Sequence, residues 1–141
     1  MLKRKNSFSF TSYQIIDERD KKIQTIKAKN FLTYYDLIQS CDIGLSTVIV
    51  KSKILKNLKF PSLKTKEDYV LWLKLSKKIK IAGFNKVLSK WRKTENSLSS
   101  STFQKLKDGF TVYNKFLEFS VIKSFFSVLN LSINFFRKRY L

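Results

Sequence analysis

The chain has 141 residues, of which 43% are hydrophobic and 15% aromatic, and 29 Lys and Arg against 10 Asp and Glu give a formal net charge of +19. This length and composition allow one compact core and exclude a disordered chain. Because there is no histidine and Cys41 is the only cysteine, histidine triads, the usual zinc sites and an intramolecular disulfide are excluded. Proton transfer near neutral pH would therefore fall to carboxylates, Lys or Tyr.

The positive charge has two interpretations. It predicts an acidic partner, such as nucleic acid, anionic lipid or a phosphorylated substrate, or it reflects a solvated lysine-rich surface. Composition alone does not separate these alternatives, so both stay open. No secretory leader is recognisable and no disulfide is possible, and the sequence therefore predicts a cytoplasmic protein.

The first predicted elements are a hairpin, a short helix and a strand. Residues 7–28 alternate apolar and polar side chains about a charged turn, as is typical of a β-hairpin. Thr33, with Asp36 three residues later, has the spacing of a helix N-cap and capping box, and Gly44 is expected to end this helix. Leu45–Val50 is rich in β-branched residues and predicts an interior strand.

The middle of the chain predicts a buried helix with an acidic start. Thr65 is the expected N-cap, and Glu67 and Asp68 lie in the first turn, where the helix dipole favours negative charge. Two strands, residues 79–84 and 86–91, are expected to follow this helix. Apolar side chains cover most of the helix circumference, which indicates burial: Tyr69, Val70, Leu71, Trp72, Leu73 and Leu75.

A polar loop at Asn96–Thr102 is expected to precede a helix from Phe103 to Phe119, in which Gly109 weakens the middle. The residues of this helix that are expected to face inward are Phe103, Leu106, Phe110, Tyr113 and Leu117.

The last segment, Val121–Arg139, is an apolar helix with one polar stripe and a basic end. Its apolar part is about 24 Å long, which is shorter than the roughly 30 Å hydrocarbon core of a bilayer, so it should not span a membrane. It is predicted either to lie on an anionic membrane surface or to dock on the remainder of a larger protein. The stripe consists of Lys123, Ser127, Asn130, Asn134 and Arg137.

The acidic pair Glu67-Asp68 is the best candidate for chemistry. A carboxylate at a helix N-terminus is most often only a favourable cap. Here the pair lies near aromatic residues and precedes a Trp91-Arg92 pair, which would supply aromatic platforms for a sugar ring and a cation for phosphate. A carboxylate in such a place can take the proton of an attacking hydroxyl.

In order and spacing, several motifs resemble the C-terminal half of bacterial family 2 glycosyltransferases over about residues 7–115. The resemblance implies a partial GT-A fold, a Rossmann-like α/β sheet, and an inverting transfer of sugar from a nucleotide-sugar to an acceptor hydroxyl. It suggests a place in the synthesis of surface polysaccharide or lipopolysaccharide, with a lipid-linked saccharide as one possible acceptor. The motifs are Ile43–Val48, Phe60-Pro61, Lys66–Leu73, Trp91-Arg92 and Asn96–Ser99.

The resemblance also implies roles for individual residues. Asp68 corresponds to the general base that deprotonates the acceptor hydroxyl, with Glu67 beside it in the acceptor pocket. Ser46 and Thr47 would lie on the strand that borders this pocket.

The remaining candidates carry two alternatives each. Trp72 and Trp91 would be walls facing the sugar or packing residues, with packing favoured. Arg92 would approach the donor diphosphate or pair with a carboxylate.

The family's nucleotide-binding units and its Asp-x-Asp metal motif have no counterpart in this sequence. Residues 1–119 are therefore expected to be the acceptor-side part of a transferase domain, and residues 120–141 an amphipathic basic helix. A divalent metal and the nucleotide-sugar would bind the missing half, which could be encoded separately, and the isolated chain is expected to be inactive. The alternative functions are a nucleic-acid-binding module or a membrane-surface interaction module. The absence of any nucleic-acid-binding motif argues against the first.

Overall fold

The computed structural model describes residues 6–94 and 101–140, with side chains as far as Arg137. The strands are β1 (Phe8–Ile16), β2 (Lys22–Ile26), β3 (Phe31–Leu32), β4 (Val48–Val50) and β5 (Ile81–Arg92). The helices are α1 (Tyr34–Gln39), α2 (Glu67–Ser76), α3 (Thr102–Thr111) and α4 (Val121–Tyr140). Shorter helical turns are Leu45–Thr47 and Ser52–Ile54, which are 3₁₀, and Val112–Phe116, which is a π-helix.

A mixed sheet forms the centre of the fold, and β1 is its middle strand. On one side β1 runs parallel to β5, and on the other it pairs antiparallel with β4 near its start and with β2 near its end. The short β3 pairs antiparallel with the beginning of β5. This arrangement confirms the predicted α/β class, agrees with a partial Rossmann-like sheet and confirms the first hairpin.

Alternate residues of β1 anchor the core. Phe8, Phe10 and Ser12 point to one face and are buried, as the period of two in a strand requires. The indole of Trp72 in α2 meets the ring of Phe8 edge-on, with ring centroids 4.9 Å apart. The buried Ser12 hydroxyl donates to Asn85 Oδ1 and accepts from the Ala28 amide, each at 2.9 Å. The strand and the helix therefore share one hydrophobic core.

The capping box of α1 is confirmed, since Thr33 and Asp36 exchange the expected side-chain to backbone hydrogen bonds. Two other expectations for this region are wrong. The helix ends at Gln39, five residues before Gly44. The predicted interior strand is interrupted because Thr47 donates from both its amide, at 2.9 Å, and its hydroxyl, at 2.7 Å, to the Gly44 carbonyl and closes a 3₁₀ turn. Only Val48–Val50 forms a strand.

The start of α2 differs from the expected N-cap. The capping position is Lys66, whose φ of 65° is left-handed and unusual for a residue with a Cβ. Thr65 instead donates from its amide and its hydroxyl to Asp108. The burial of the rest of the helix is confirmed.

Residues 81–92 form one continuous strand, β5, and the predicted division at Gly83 is wrong. The register with β1 shifts twice between Phe84 and Ser89. The pairing of β5 is therefore irregular there, but the strand is not divided. Beyond Gly83, no strand in the described part of the chain pairs with the outer edge of β5. Phe84 and Leu88 are 57% and 61% exposed there.

The inward face predicted for the helix after Ser101 is also wrong in part. Phe103 and Leu106 are 78% and 42% exposed, whereas Asp108 and Gly109 are buried. The physical reason is that Asp108 turns inward to bind Thr65. The α-helix ends at Thr111 and continues as the π-helix, and a left-handed Glu118, with φ of 57°, closes it before α4. Residues 96–100 of the predicted polar loop lie outside the described residues, and Thr102 already belongs to α3.

The predicted terminal helix is confirmed as α4, which packs on α1 and α3. Ser124 and Leu131 are buried, and the Asn134 amide donates to the Gln39 carbonyl at the end of α1 at 3.0 Å. Within the described residues, no helix combines the length and the apolar character that a bilayer crossing requires. Eight large apolar residues of α4 remain exposed: Val121, Ile122, Phe125, Phe126, Leu129, Ile133, Phe135 and Phe136.

Candidate functional site

Asp68 lies in the first turn of α2 and is half-buried. Its Oδ1 accepts a hydrogen bond of 2.7 Å from the amide of Tyr69. Burial raises the pKa of the Asp68 carboxyl, the Tyr69 amide opposes this, and the neighbouring Glu67 raises the pKa further. A carboxylate with a raised pKa is a better proton acceptor than an exposed one, which suits a general base.

Three parts of the chain converge beside this carboxylate. Tyr13 comes from β1, Asp42 from the loop after α1, and Asp68 from α2. Burial first, and then electrostatic interaction with Cys41, Asp42 and Asp68, raises the pKa of the Tyr13 phenol well above its usual range. Tyr13 therefore keeps its proton at any physiological pH, and its hydroxyl stays a potential hydrogen-bond donor.

The loop that carries Asp42 is fixed at both ends. A methyl group at Gly44 would lie only 3.2 Å from the Tyr13 ring, so the backbone of the loop passes close to β1. At its start, the Ser40 hydroxyl donates to Asp42 Oδ1 at 2.9 Å. The loop thus holds Asp42 in place next to the tyrosine.

Two buried tyrosines hold the end of α1, from which this loop departs. The Tyr69 hydroxyl donates to the Leu37 carbonyl at 2.5 Å, and the Tyr113 hydroxyl donates to the Ile38 carbonyl at 2.6 Å. The last carbonyls of a helix lack their usual i+4 donors, and these hydroxyls donate to two of them; the Leu37 carbonyl also accepts from the Ser40 amide at 3.2 Å. The two hydroxyl oxygens are 3.1 Å apart, and burial raises the pKa of Tyr113 to about 12. Because Tyr69 follows Asp68 directly, the same contact ties the candidate base to the loop.

The start of α2 is fixed from the other side by Asp108. Its Oδ2 accepts from the amide and the hydroxyl of Thr65, both at 2.8 Å, and its Oδ1 accepts from Gln104 at 2.9 Å. Burial would raise the pKa of Asp108, but the hydrogen bonds from Gln104 and Thr65 outweigh it and hold the pKa below its usual value. Asp108 therefore positions the turn that presents Asp68.

The other residues proposed from the sequence are only partly brought together. Glu67 is half-buried beside Asp68. Ser46 is exposed and Thr47 is buried, and both lie in the 3₁₀ turn rather than on a strand. Trp72 is 2% exposed within the core, so of its two alternatives the structure shows packing.

Trp91 and Arg92 lie at the far end of β5. Trp91 is 40% exposed and stands opposite Ile15 in the register with β1. Arg92 binds the turn between β1 and β2, where it donates to the Asp17 carbonyl at 3.0 Å and forms an ion pair of 2.8 Å with Asp20. Of its two alternatives, the structure shows the pairing with a carboxylate.

Two cavities of the described structure are not lined by Asp68. One, of about 460 Å³, is at the C-terminal end of α2 and includes Tyr34 and Lys77. The other, of about 190 Å³, is apolar and lined by Phe60, Leu71 and Trp72 among others. No group of three His, Cys, Asp or Glu side chains converges within residues 6–94 and 101–140, so these residues do not fit a metal site.

Sequence reasoning missed four residues of this region. Tyr13 was assigned only to a strand, Asp42 to the helix predicted between Thr33 and Gly44, Tyr113 to a helix face, and Asp108 to the same predicted helix as Tyr113 but not to its inward face. No local signal identifies them, because their partners are more than 40 positions away for Asp108 and Tyr113. Asp68 was found as part of an acidic pair at a helix start near aromatic residues, and the family resemblance gave it the role of general base.

Comparison with known proteins gives the same class. The chain is 35% identical over 120 residues to the Escherichia coli protein UDP-Glc:alpha-D-GlcNAc-diphosphoundecaprenol beta-1,3-glucosyltransferase WfgD, covering 84% of this chain and 47% of that protein. It is 29% identical over 141 residues to the putative teichuronic acid biosynthesis glycosyltransferase TuaG of Bacillus subtilis (strain 168), covering 99% of this chain and 56% of that protein. A second Escherichia coli glucosyltransferase, WfaP, is 37% identical over 101 residues, or 70% of this chain and 39% of that protein.

The chain is a mixed α/β domain with a half-buried carboxylate in the first turn of α2. The chain belongs to the bacterial glycosyltransferases represented by these relatives, and it spans about half of the length of the first two. No family model matches the chain, and no solved structure matches it.

Proposed function

We propose that this chain is the acceptor-side half of a family 2-like glycosyltransferase that moves a sugar from a nucleotide-sugar to an acceptor hydroxyl. The reaction would serve surface polysaccharide or lipopolysaccharide synthesis. The name of WfgD refers to a lipid-diphosphate acceptor and that of TuaG to teichuronic acid biosynthesis. These names support a sugar or lipid-linked saccharide as acceptor. The carrying observation is the half-buried Asp68, whose pKa is raised by burial.

Asp68 would act as the general base. In an inverting displacement the acceptor hydroxyl attacks the anomeric carbon of the donor, and its proton must leave as the new bond forms. Asp68 would accept that proton, while the diphosphate leaves on the opposite side. Glu67 would contact the acceptor, and Tyr13, which stays protonated, could donate a hydrogen bond to an acceptor oxygen. This places all the base chemistry on α2 and its neighbours.

The donor side of the reaction would belong to the other half of the domain. A nucleotide-sugar and a divalent metal would bind there, and this donor-binding half could be joined to this chain or encoded separately. The open outer edge of β5 supports this partner. Long unpaired strands with apolar side chains are avoided in free proteins, and Phe84 and Leu88 are exposed along this edge. A strand of the other half would extend the sheet at this edge.

We also propose that the protein works peripherally at the inner face of the cell membrane, where a lipid-linked acceptor would be found. The exposed apolar side of α4 supports this location. A transferase at that surface would meet the headgroup of its acceptor without spanning the bilayer.

The test is a chimera in which this chain replaces the matching region of WfgD. We expect the chimera to transfer glucose from UDP-glucose to the acceptor that WfgD uses, and we expect the isolated chain to transfer none. Calorimetry on the isolated chain should detect no binding of UDP-glucose in the micromolar range. Micromolar binding by the isolated chain, or a folded chimera without transfer, would contradict the proposal.

A further inference from the structure

The outer face of α4 is apolar, whereas the outer face of a helix in a soluble protein is usually polar. Phe125 and Phe126 are 61% and 62% exposed, and Leu129 and Ile133 are each 47% exposed. Such helices normally turn their apolar residues to the core and their polar residues to water. In this protein the apolar side faces outward over the length of the helix.

The inner face of α4 explains this orientation. Ser124 is fully buried and donates to the Phe119 carbonyl at 3.3 Å, and Asn134 donates to the Gln39 carbonyl of α1. Among the side chains of α4 that the structure describes, Leu131 is the one apolar residue that is buried. The polar and small residues thus dock the helix on the domain, and rotation of the Phe residues inward would break these hydrogen bonds.

The charges next to the apolar face are all positive. Residues 121–141 contain no Asp or Glu, and their basic residues are Lys123, Arg137, Lys138 and Arg139. Lys123 and Arg137 are exposed, and on a helical projection both lie on one flank of the apolar face. An apolar strip with a cationic border matches the boundary between acyl chains and anionic headgroups.

We propose that the outer face of α4 binds the surface of an anionic lipid bilayer, with the helix parallel to the membrane plane. Phe125, Phe126 and Phe136 enter the boundary between headgroups and acyl chains, and Lys123 and Arg137 contact the phosphates. A lipid surface fits better than a protein because every charge on this helix has one sign and no acid breaks the strip. The inference refines the membrane location proposed above, and it does not depend on the transfer reaction.

The experiment measures cosedimentation of the 141-residue chain with two kinds of vesicles, phosphatidylcholine alone and phosphatidylcholine with phosphatidylglycerol in equal parts. We expect binding to the anionic vesicles that weakens with added salt and is far weaker on the neutral ones. Replacing Phe125 and Phe126 with Gln should reduce the partition coefficient about tenfold or more for the pair. Replacing Lys123 and Arg137 with Gln should reduce it about fivefold for each charge removed.

The matched control is Phe60→Gln, since Phe60 is 54% exposed but lies in the connection between β4 and α2. It should bind vesicles like the unchanged chain, and thermal melting should confirm that every variant folds. Equal binding to neutral and anionic vesicles, or unchanged binding of the Phe125 and Phe126 variant, would overturn the proposal. So would a stable dimer that this variant abolishes, because the apolar face would then be covered by a second copy. Transfer by the WfgD chimera is scored separately, so either proposal can fail alone.

Discussion

A single carboxylate oxygen of Asp108 accepts two hydrogen bonds from Thr65, one from its amide and one from its hydroxyl, each 2.8 Å long. The two residues are 43 positions apart. This contact fixes Thr65, which precedes the N-cap Lys66, whose φ of 65° is left-handed. The turn that presents Asp68 is therefore held by a helix that lies far away in the sequence.

Removing this clamp should destabilise the protein. Asp108→Ala leaves the buried amide and hydroxyl of Thr65 without a partner, which costs about 2 to 3 kcal/mol of the free energy of unfolding. Asp108→Asn keeps an acceptor oxygen but loses the charge, and should cost about 1 kcal/mol. Urea denaturation near neutral pH measures both values.

The direction of the Asp108 pKa shift determines how the stability from this contact depends on pH. The pKa of Asp108 is lower in the folded than in the unfolded chain, so its stabilisation is present above the unfolded value of 3.8 and is lost as the pH falls through the folded pKa. Asp108→Asn should therefore lose less stability than the unchanged chain between neutral pH and about pH 3. An equal loss in both proteins would show that Asp108 does not contribute in this way.

The sequence predicted those elements that depend on near neighbours. The Thr33 capping box was predicted because its two partners are three residues apart, and the buried α2 because its apolar residues cover the helix. The Thr65 cap was wrong, since a partner beyond local reach, Asp108, takes its amide and its hydroxyl. The same cause rotates α3 and exposes Phe103. Of the site, Asp68 was found from the local pattern of an acidic pair at a helix start. Tyr13 was not found, because Asp42 and Asp68 come close enough to interact with it only in the fold.

The tyrosine contacts at the end of α1 should be worth more than surface hydrogen bonds. Tyr69→Phe removes one of two donors to the Leu37 carbonyl, and Tyr113→Phe removes the hydroxyl that donates to the Ile38 carbonyl. Each should lower the free energy of unfolding by about 1 kcal/mol. The losses in free energy of unfolding from the two substitutions should not be additive in the double variant, because the two hydroxyl oxygens are 3.1 Å apart. Tyr35→Phe is the control, since Tyr35 is 76% exposed, and it should change stability by less than about 0.5 kcal/mol.

Two glycines should respond in opposite directions to alanine. A Cβ at Gly83 would lie 1.8 Å from the Lys29 carbonyl oxygen, so the backbone must move and stability should fall by about 2 kcal/mol or more. At Gly109, in α3, the nearest atom is the flexible end of Lys66 at 3.6 Å, and alanine should stabilise the helix by about 0.5 to 1 kcal/mol. Thermal melts of the two variants test this. A tolerated Gly83→Ala would contradict the close approach of β5 to the connection between β2 and β3.

The charged Asp68 carboxylate should lower the free energy of unfolding near neutral pH. Its pKa is raised in the folded chain, so the charged form is disfavoured, and the penalty is present above the folded pKa and vanishes below the unfolded value of 3.8. Asp68→Asn should therefore raise the free energy of unfolding near neutral pH by about 0.5 to 1 kcal/mol, and the gain should disappear in acid. Denaturation curves at the two pH values check the sign, and a loss of stability near neutral pH would contradict it.

The most direct measurement is the rate of glucose transfer by the WfgD chimera that carries Asp68→Asn. We predict that kcat falls about a thousandfold because the acceptor proton has no base. The matched variant Glu67→Gln should mainly raise KM for the acceptor and keep kcat within about tenfold. An Asp68→Asn chimera that is folded and transfers glucose at a rate close to that of the unchanged chimera would contradict the assignment of Asp68 as the base.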